Sequence, residues 1–182
     1  MWHSTSFSTA GSSTTPIHEL VLADLDKAKL PFIIRHRNSR GQYPDLPVWV
    51  AVEALSFGTL SRAIEHCAEA DVRKHLANDL NVAQQGFSSQ IRAFVTLRNA
   101  CAHNNRLWND VARIQASVPN NLLHRAKKRV GNFNSNSQYQ VLVALAQFLS
   151  GPAKAQEFMS DVDQLLATND TFRAGVMNPR SY

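Results

Sequence analysis

Apolar residues recur along this chain at three- and four-residue intervals, and no stretch sustains the two-residue alternation of a strand. The pattern predicts an all-α fold. Ile17 to Lys29 spaces Ile17, Leu20, Val21, Leu25 and Ala28 for a short helix. Val48 to Ser56 (VWVAVEALS) is apolar almost all round, which predicts a buried helix, with Pro47 in its first turn. Thr59 to Ala68 resumes helical spacing, Asp71 to Asn78 adds a turn or two, and Leu80 to Phe87 reads as a connector. From Ser88 the chain runs SSQIRAFVTLRNACAH without Pro or Gly, with Ser88 or Ser89 offering an N-cap oxygen. Asp110 to Asn121 is a turn-bearing connection, and LLHRAKKRV follows it. Gln138 to Ser150 is a strongly apolar helix stopped by Gly151-Pro152, and Lys154 to Thr168 is amphipathic. At 182 residues one domain is expected, over residues 17–168. The Ser/Thr-rich start, residues 1–16, is expected to be flexible, and the tail, 169–182, loosely ordered.

Composition narrows the class. Hydrophobic content of 44% with 18% charged residues fits a globular chain rather than a disordered one. A net charge of +5 and a pI near 9.6 tilt it toward polyanionic partners. The densest positive run is His124, Arg125, Lys127, Lys128 and Arg129, beside Gly131 and an Asn/Ser loop. It is the best footprint in the chain for an RNA backbone; equally, its cations would favour the C-terminal end of a solvated helix. Arg35 to Arg40 reads as solvated loop charge. The two cysteines, Cys67 and Cys101, make no disulfide framework and sit in helical patterns as core residues, with a reducing cytoplasm as the setting. His66-Cys67 and Cys101-x-His103 lack a paired CxxC or HxxxH unit, so neither metal nor cofactor is expected. The N-terminus has no Lys, Arg or apolar core of a secretory signal, and no apolar run is long enough to span a bilayer. The phosphate-binding GxxxxGK[ST], dinucleotide GxGxxG and nucleophile GxSxG patterns are all missing.

What remains is LRNACAHNNRLWN, Leu97 to Asn109. With Arg98 at zero and about 100° per residue, Ala102, Asn99 and His103 fall at roughly 40°, 100° and 140°. Arg106 joins that arc if the helix continues, although Asn104-Asn105 is a candidate stop. Phe94, Leu97 and Cys101, and Trp108 on a continued helix, gather on the other side as a core stripe, with Ile91 and Val95 a turn earlier. An arginine that grips phosphate and a histidine that moves protons near neutral pH suit metal-independent RNA cleavage. Glu53 is a carboxylate in an apolar setting and needs a partner; Arg98 is the candidate, with Glu53 orienting it. The alternative is an Arg98 tied to Glu53 or a backbone carbonyl, beside an exposed His103.

The pattern Arg98-Asn99 through His103 resembles the ribonuclease motif of the HEPN superfamily. The longer run RNACAHNNRLWN, preceded by LPVWVAVEALSFGTLSR at Leu46–Arg62, is similar to the Abi-like family of bacterial abortive-infection (phage-defence) proteins. The close resemblance spans Pro31 to Asn109; the resemblance implies a further stretch ahead of it in usual members, beside which this chain looks shorter at its N-terminus. The resemblance implies a HEPN-like helical bundle and a metal-independent endoribonuclease whose site is shared by two protomers of a homodimer. In that reading His103 is the general acid/base, Arg98 holds the scissile phosphate, Asn99 positions one or the other, and Arg106 adds phosphate contact. The products would be a 2′,3′-cyclic phosphate and a 5′-hydroxyl. RNA is the implied partner, with an antitoxin protein or a regulatory RNA as restraint. The alternative class is a non-catalytic RNA-binding or regulatory module on the same helices; a third is a purely structural helical interaction protein.

Overall fold

The computed structural model describes residues 15–67 and 70–180; most of the stretch read as a flexible start, and Ala68, lie outside the described residues. Among the described residues there are ten helices and no strand, as the periodicity requires. The chain divides into two compact units, Met1–Ala70 and Asp71–Tyr182, where one domain was expected. Each has an apolar cluster of its own.

The first unit holds α1 (Ile17–Lys27), α2 (Pro31–Ile34), α3 (Val48–Ala54) and α4 (Phe57–His66). Its core is Leu25, Ile33, Leu46 and Ala51, with α1 against α3 and α4, and α2 against α3. Asp24 on α1 accepts the Ser56 N–H at 2.8 Å, and the Ser56 hydroxyl accepts the Thr59 N–H at 3.1 Å as the N-cap of α4. Burial pushes the Asp24 carboxyl up, but hydrogen bonds from Thr59 and Ser56 outweigh it and leave its pKa lowered. The basic loop is folded on Asn38, whose Oδ1 accepts the N–H groups of Arg40 and Gln42, while Arg37 pairs with Asp26 at 3.2 Å.

Helix α3 departs from the expected buried helix. Only Ala51 is buried; Trp49 is 73%, Val48 57% and Val52 43% exposed. The unit takes the Val50–Ala51–Ala54 face into its core, and Trp49 lies roughly 160° from Ala51, so the outer apolar face has no cover within this unit.

The second unit begins at α5 (Ala70–Asp79) and continues through α6 (Phe87–Ala102), α7 (Asn120–Val130), α8 (Gln138–Ala146), α9 (Pro152–Ala167) and α10 (Asp170–Met177). Helix α8 is its centre, packed against α6, α7, α9 and α10. Phe148 just beyond it meets Phe94 edge-on at 5.0 Å and stacks with Phe87 at 6.1 Å, which seats α6. The connection between α6 and α7 is strapped down by three buried glutamines. Gln90 donates to the Ser117 carbonyl at 2.7 Å, Gln140 to the Ala116 carbonyl at 2.9 Å and Gln138 to the Asp110 carboxylate at 2.7 Å.

Two boundaries correct the sequence reading. Helix α6 starts at Phe87 behind Gly86 (φ 81°), not at a serine cap; Ser89 instead donates its hydroxyl to the Gly86 carbonyl at 2.8 Å. The expected loose tail forms α10, capped by Asn169 accepting the Phe172 N–H at 2.9 Å, because Val176 and Met177 complete the core of α8 and α9.

A Cβ on Gly86 would fall 2.2 Å from the Ser117 Cβ, on a backbone that already disfavours L side chains. Gly86→Ala is expected to destabilise the second unit by about 2 kcal/mol or more in urea unfolding; a loss under about 0.5 kcal/mol, the usual range for a neutral surface change, contradicts the close approach.

Candidate functional site

Helix α6 carries the motif on its last turn. Ile91, Phe94 and Leu97 are buried as the core stripe, and the buried face ends at Leu97. Beyond it Arg98, Asn99, Cys101, Ala102 and His103 are all exposed. The polar arc is therefore open to solvent. Cys101 is not the core residue expected, because no buried residue of α6 lies past Leu97; Cys67 is half-buried.

The end of α6 is built by asparagine. His103 is the C-cap, and Asn104 takes the left-handed conformation (φ 52°). The Asn105 N–H then bonds the Ala100 carbonyl at 2.8 Å and the Asn104 N–H the Cys101 carbonyl at 3.1 Å, a Schellman closure. Arg106 consequently lies off the helix, in an exposed loop, rather than on the arc of Arg98. Asn99 accepts from Arg98 Nη1 at 2.9 Å, so its amide oxygen orients the arginine. The His103 imidazole makes no hydrogen bond to a described side chain.

Glu53 sits on α3 in the first unit and is exposed. Its exposure removes the desolvation cost that called for an arginine partner, and with it the reason to assign it the orientation of Arg98.

The basic run resolves into two kinds of residue. Arg129 pairs with the Asp163 carboxylate through Nε and donates from Nη2 to the Tyr139 hydroxyl at 3.2 Å; Tyr139 in turn donates to Asp163 at 2.7 Å. Burial lowers the Arg129 pKa, but the hydrogen bonds and charges of Tyr139 and Asp163 more than reverse that. Its guanidinium, although exposed, is engaged by Asp163 and Tyr139, which leaves it less free to meet an RNA phosphate than its exposed neighbours. Lys127 is half-buried with its ammonium 5.7 Å from the centre of the Phe133 ring. His124, Arg125 and Lys128 are exposed at spacings that put them on one side of α7. All the chain's excess positive charge belongs to this unit: it has 13 Lys and Arg against 7 Asp and Glu, and the first unit 6 against 7.

A cleft of about 750 Å³ opens beside α7, lined among others by Leu80, Val82, Leu122, Arg125, Phe148 and Met159. None of Arg98, Asn99, His103 or Arg106 lines it. The motif is a surface site. Among the described residues no group of three His, Cys, Asp or Glu is placed to hold a metal ion, and no described helix is long and apolar enough to cross a membrane.

Sequence reasoning missed what happens after Arg106. Trp108 and Asn109 turn away from α6 and dock on α10, where the indole N–H donates to the Thr171 carbonyl at 3.0 Å. The available signal was a lone glycine, Gly175, inside an otherwise helical stretch.

An all-α protein with a solvent-open Arg-Asn-x3-His turn on a basic unit is the class that the fold and site define. The chain belongs to the Abi-like protein family, whose model matches residues 3–109, a segment that ends on Asn109 at the close of the motif run. No curated protein and no solved structure matches it.

The Tyr139 cluster makes stability depend on alkaline pH. Burial, joined by the Asp163 carboxylate and opposed by Arg129, pushes the Tyr139 hydroxyl up to about 12. In the unfolded chain it ionises near 10, so its contribution is complete below pH 10 and is lost as the pH rises toward 12. In urea melts, Tyr139→Phe is expected to be less stable than wild type at pH 9, with the gap narrowing by up to about 2–3 kcal/mol as pH 12 is approached. A gap constant with pH contradicts the assignment.

Proposed function

We propose that this protein is a metal-independent endoribonuclease of phage defence by abortive infection, acting in the cytoplasm as a homodimer with a HEPN-like site. His103 is the general acid/base on the 2′-hydroxyl and the leaving 5′-oxygen, and Arg98, held by Asn99, binds the scissile phosphate and stabilises its developing charge. Arg106 adds a second phosphate contact from the loop. Arg125 and Lys128 on α7, with Lys127, track the RNA backbone.

The observation that carries the reading is the exposed last turn of α6, where Arg98 is oriented by Asn99 and left open to solvent. Family membership supports the biological setting. The homodimer is what the family resemblance implies. Restraint by an antitoxin protein or a regulatory RNA belongs to the same reading.

One observation favours the other class, a non-catalytic RNA-binding module: no described side chain orients the His103 imidazole, whereas catalytic bases are usually held by a third group.

Purified protein incubated with total RNA in EDTA is expected to cleave it, leaving 2′,3′-cyclic phosphate ends. His103→Ala and Arg98→Ala should each reduce the rate by about 100-fold or more. Absence of cleavage by the wild type, with all three proteins folded and binding RNA alike, removes the nuclease and leaves the binding module. Charge reversal of Arg125 and Lys128 is expected to weaken RNA binding and lower its salt dependence by about two counterions; unchanged affinity in filter binding across a salt series removes α7 from the RNA surface.

A further inference from the structure

Two consecutive residues close the family segment, and both are fastened to a helix outside it. The Trp108 indole donates to the Thr171 carbonyl at 3.0 Å and lies so close over Gly175 that a Cβ there would fall 2.3 Å from Nε1 and 2.4 Å from Cδ1. Asn109, in the left-handed conformation (φ 54°), donates its N–H to the Gly175 carbonyl at 3.1 Å and accepts the Arg180 N–H at 2.7 Å. The other end of the same loop is closed on α6 by Asn104. Between the two fastenings stand Asn105, Arg106 and Leu107, with the Arg106 side chain exposed.

We infer that α10 is a latch that positions Arg106, with Trp108, Asn109 and Gly175 as the positioning residues that hold the 104–109 loop beside the end of the motif helix. The fastenings are the Thr171 and Gly175 carbonyls on α10 and the Arg180 amide just beyond it, with the Trp108 indole laid over Gly175. The core contacts of α10 are made by other residues of the helix: Val176, Met177 and Phe172 join the core built with α8 and α9. The latch can therefore open while the fold stays shut. An arginine on a loop whose backbone is fixed at both ends loses less backbone freedom on meeting an anion than one on a free strand. That Arg106 meets a phosphate rests on the nuclease reading; that α10 fixes the loop does not.

The test uses the full chain and two arms. In limited trypsin digestion, cleavage after Arg106 requires the loop to leave its fastenings. Gly175→Ala forces Trp108 out and is expected to raise the rate of that cut by about tenfold or more, with far-UV circular dichroism unchanged. Asn109→Gly, which tolerates the left-handed backbone and deletes the side chain that accepts the Arg180 N–H, should give a smaller rise and carries the test if Gly175→Ala does not fold. Equal rates of cutting after Arg106 in wild type and folded variant overturn the latch. In RNA cleavage, Arg106→Ala and Gly175→Ala are each expected to raise KM by about three- to tenfold with kcat within about twofold, and the double variant should match Arg106→Ala alone. Additive losses overturn the positioning role. If the wild type does not cut RNA, the nuclease reading falls and the trypsin arm alone decides the latch.

Discussion

The seating of α6 on α8 is the contact on which the second unit depends. Phe94 meets Phe148 edge-on, and Ile91 and Leu97 extend the same buried face, so the helix is fixed in rotation as well as position. Fixing rotation decides which residues of the last turn look outward. Gln90 on α6 and Gln140 on α8 then reach the two adjacent carbonyls of Ser117 and Ala116, so the connecting strap is referenced to both helices at once. Buried amides without these carbonyls would each cost about 1–3 kcal/mol, which makes the strap's course specific rather than merely tolerated.

That arrangement separates support from chemistry along a single helix. The first part of α6 is committed to packing, and the part past Leu97 is free of it. A surface turn is a poor place for reactions that need a dry pocket, but phosphate-backbone substrates are long, charged and held from outside. The cleft beside α7 is apolar in most of its lining and carries none of the motif, so the chemistry of this chain, as proposed, is that of an exposed turn and not of a cavity.

The helical class, most element bounds and the polar arc were legible in the sequence, because three-to-four-residue periodicity follows directly from which face is buried. Failures came where tertiary context decides. VWVAVEALS reads as buried all round, yet a seven-residue helix in a four-helix unit buried only Ala51; apolar composition shows that cover is wanted, not that the unit provides it. Glu53 was misjudged with it, since its need for a partner followed from the assumed burial. The partners of Arg129 went unread because Tyr139 and Asp163 lie 10 and 34 positions further on and carry no local signature. The tail failed for the opposite reason: Asn169 is a serviceable cap, but the helix it starts is short and is held by packing that only the folded chain supplies.

The asparagines explain why a motif of this composition ends as it does. A helix that simply frayed after Ala102 would leave His103 and Arg106 to wander independently. Asn104 adopts the left-handed conformation that most side chains avoid and closes the carbonyls of Ala100 and Cys101. Asn109 repeats the conformation five residues later and redirects the chain onto α10. Two left-handed turns thus bracket the loop, and both are met by asparagine, whose short polar side chain tolerates that region better than other non-glycine residues. Glycine would also fit, but it would widen the range of conformations open to the unfolded loop, and at Asn109 it would forfeit the acceptor that holds Arg180. The doublet Asn104-Asn105 and the terminal Asn109 are therefore best understood as the joints of the motif, with Arg98 and His103 as the working groups only of the nuclease proposed above.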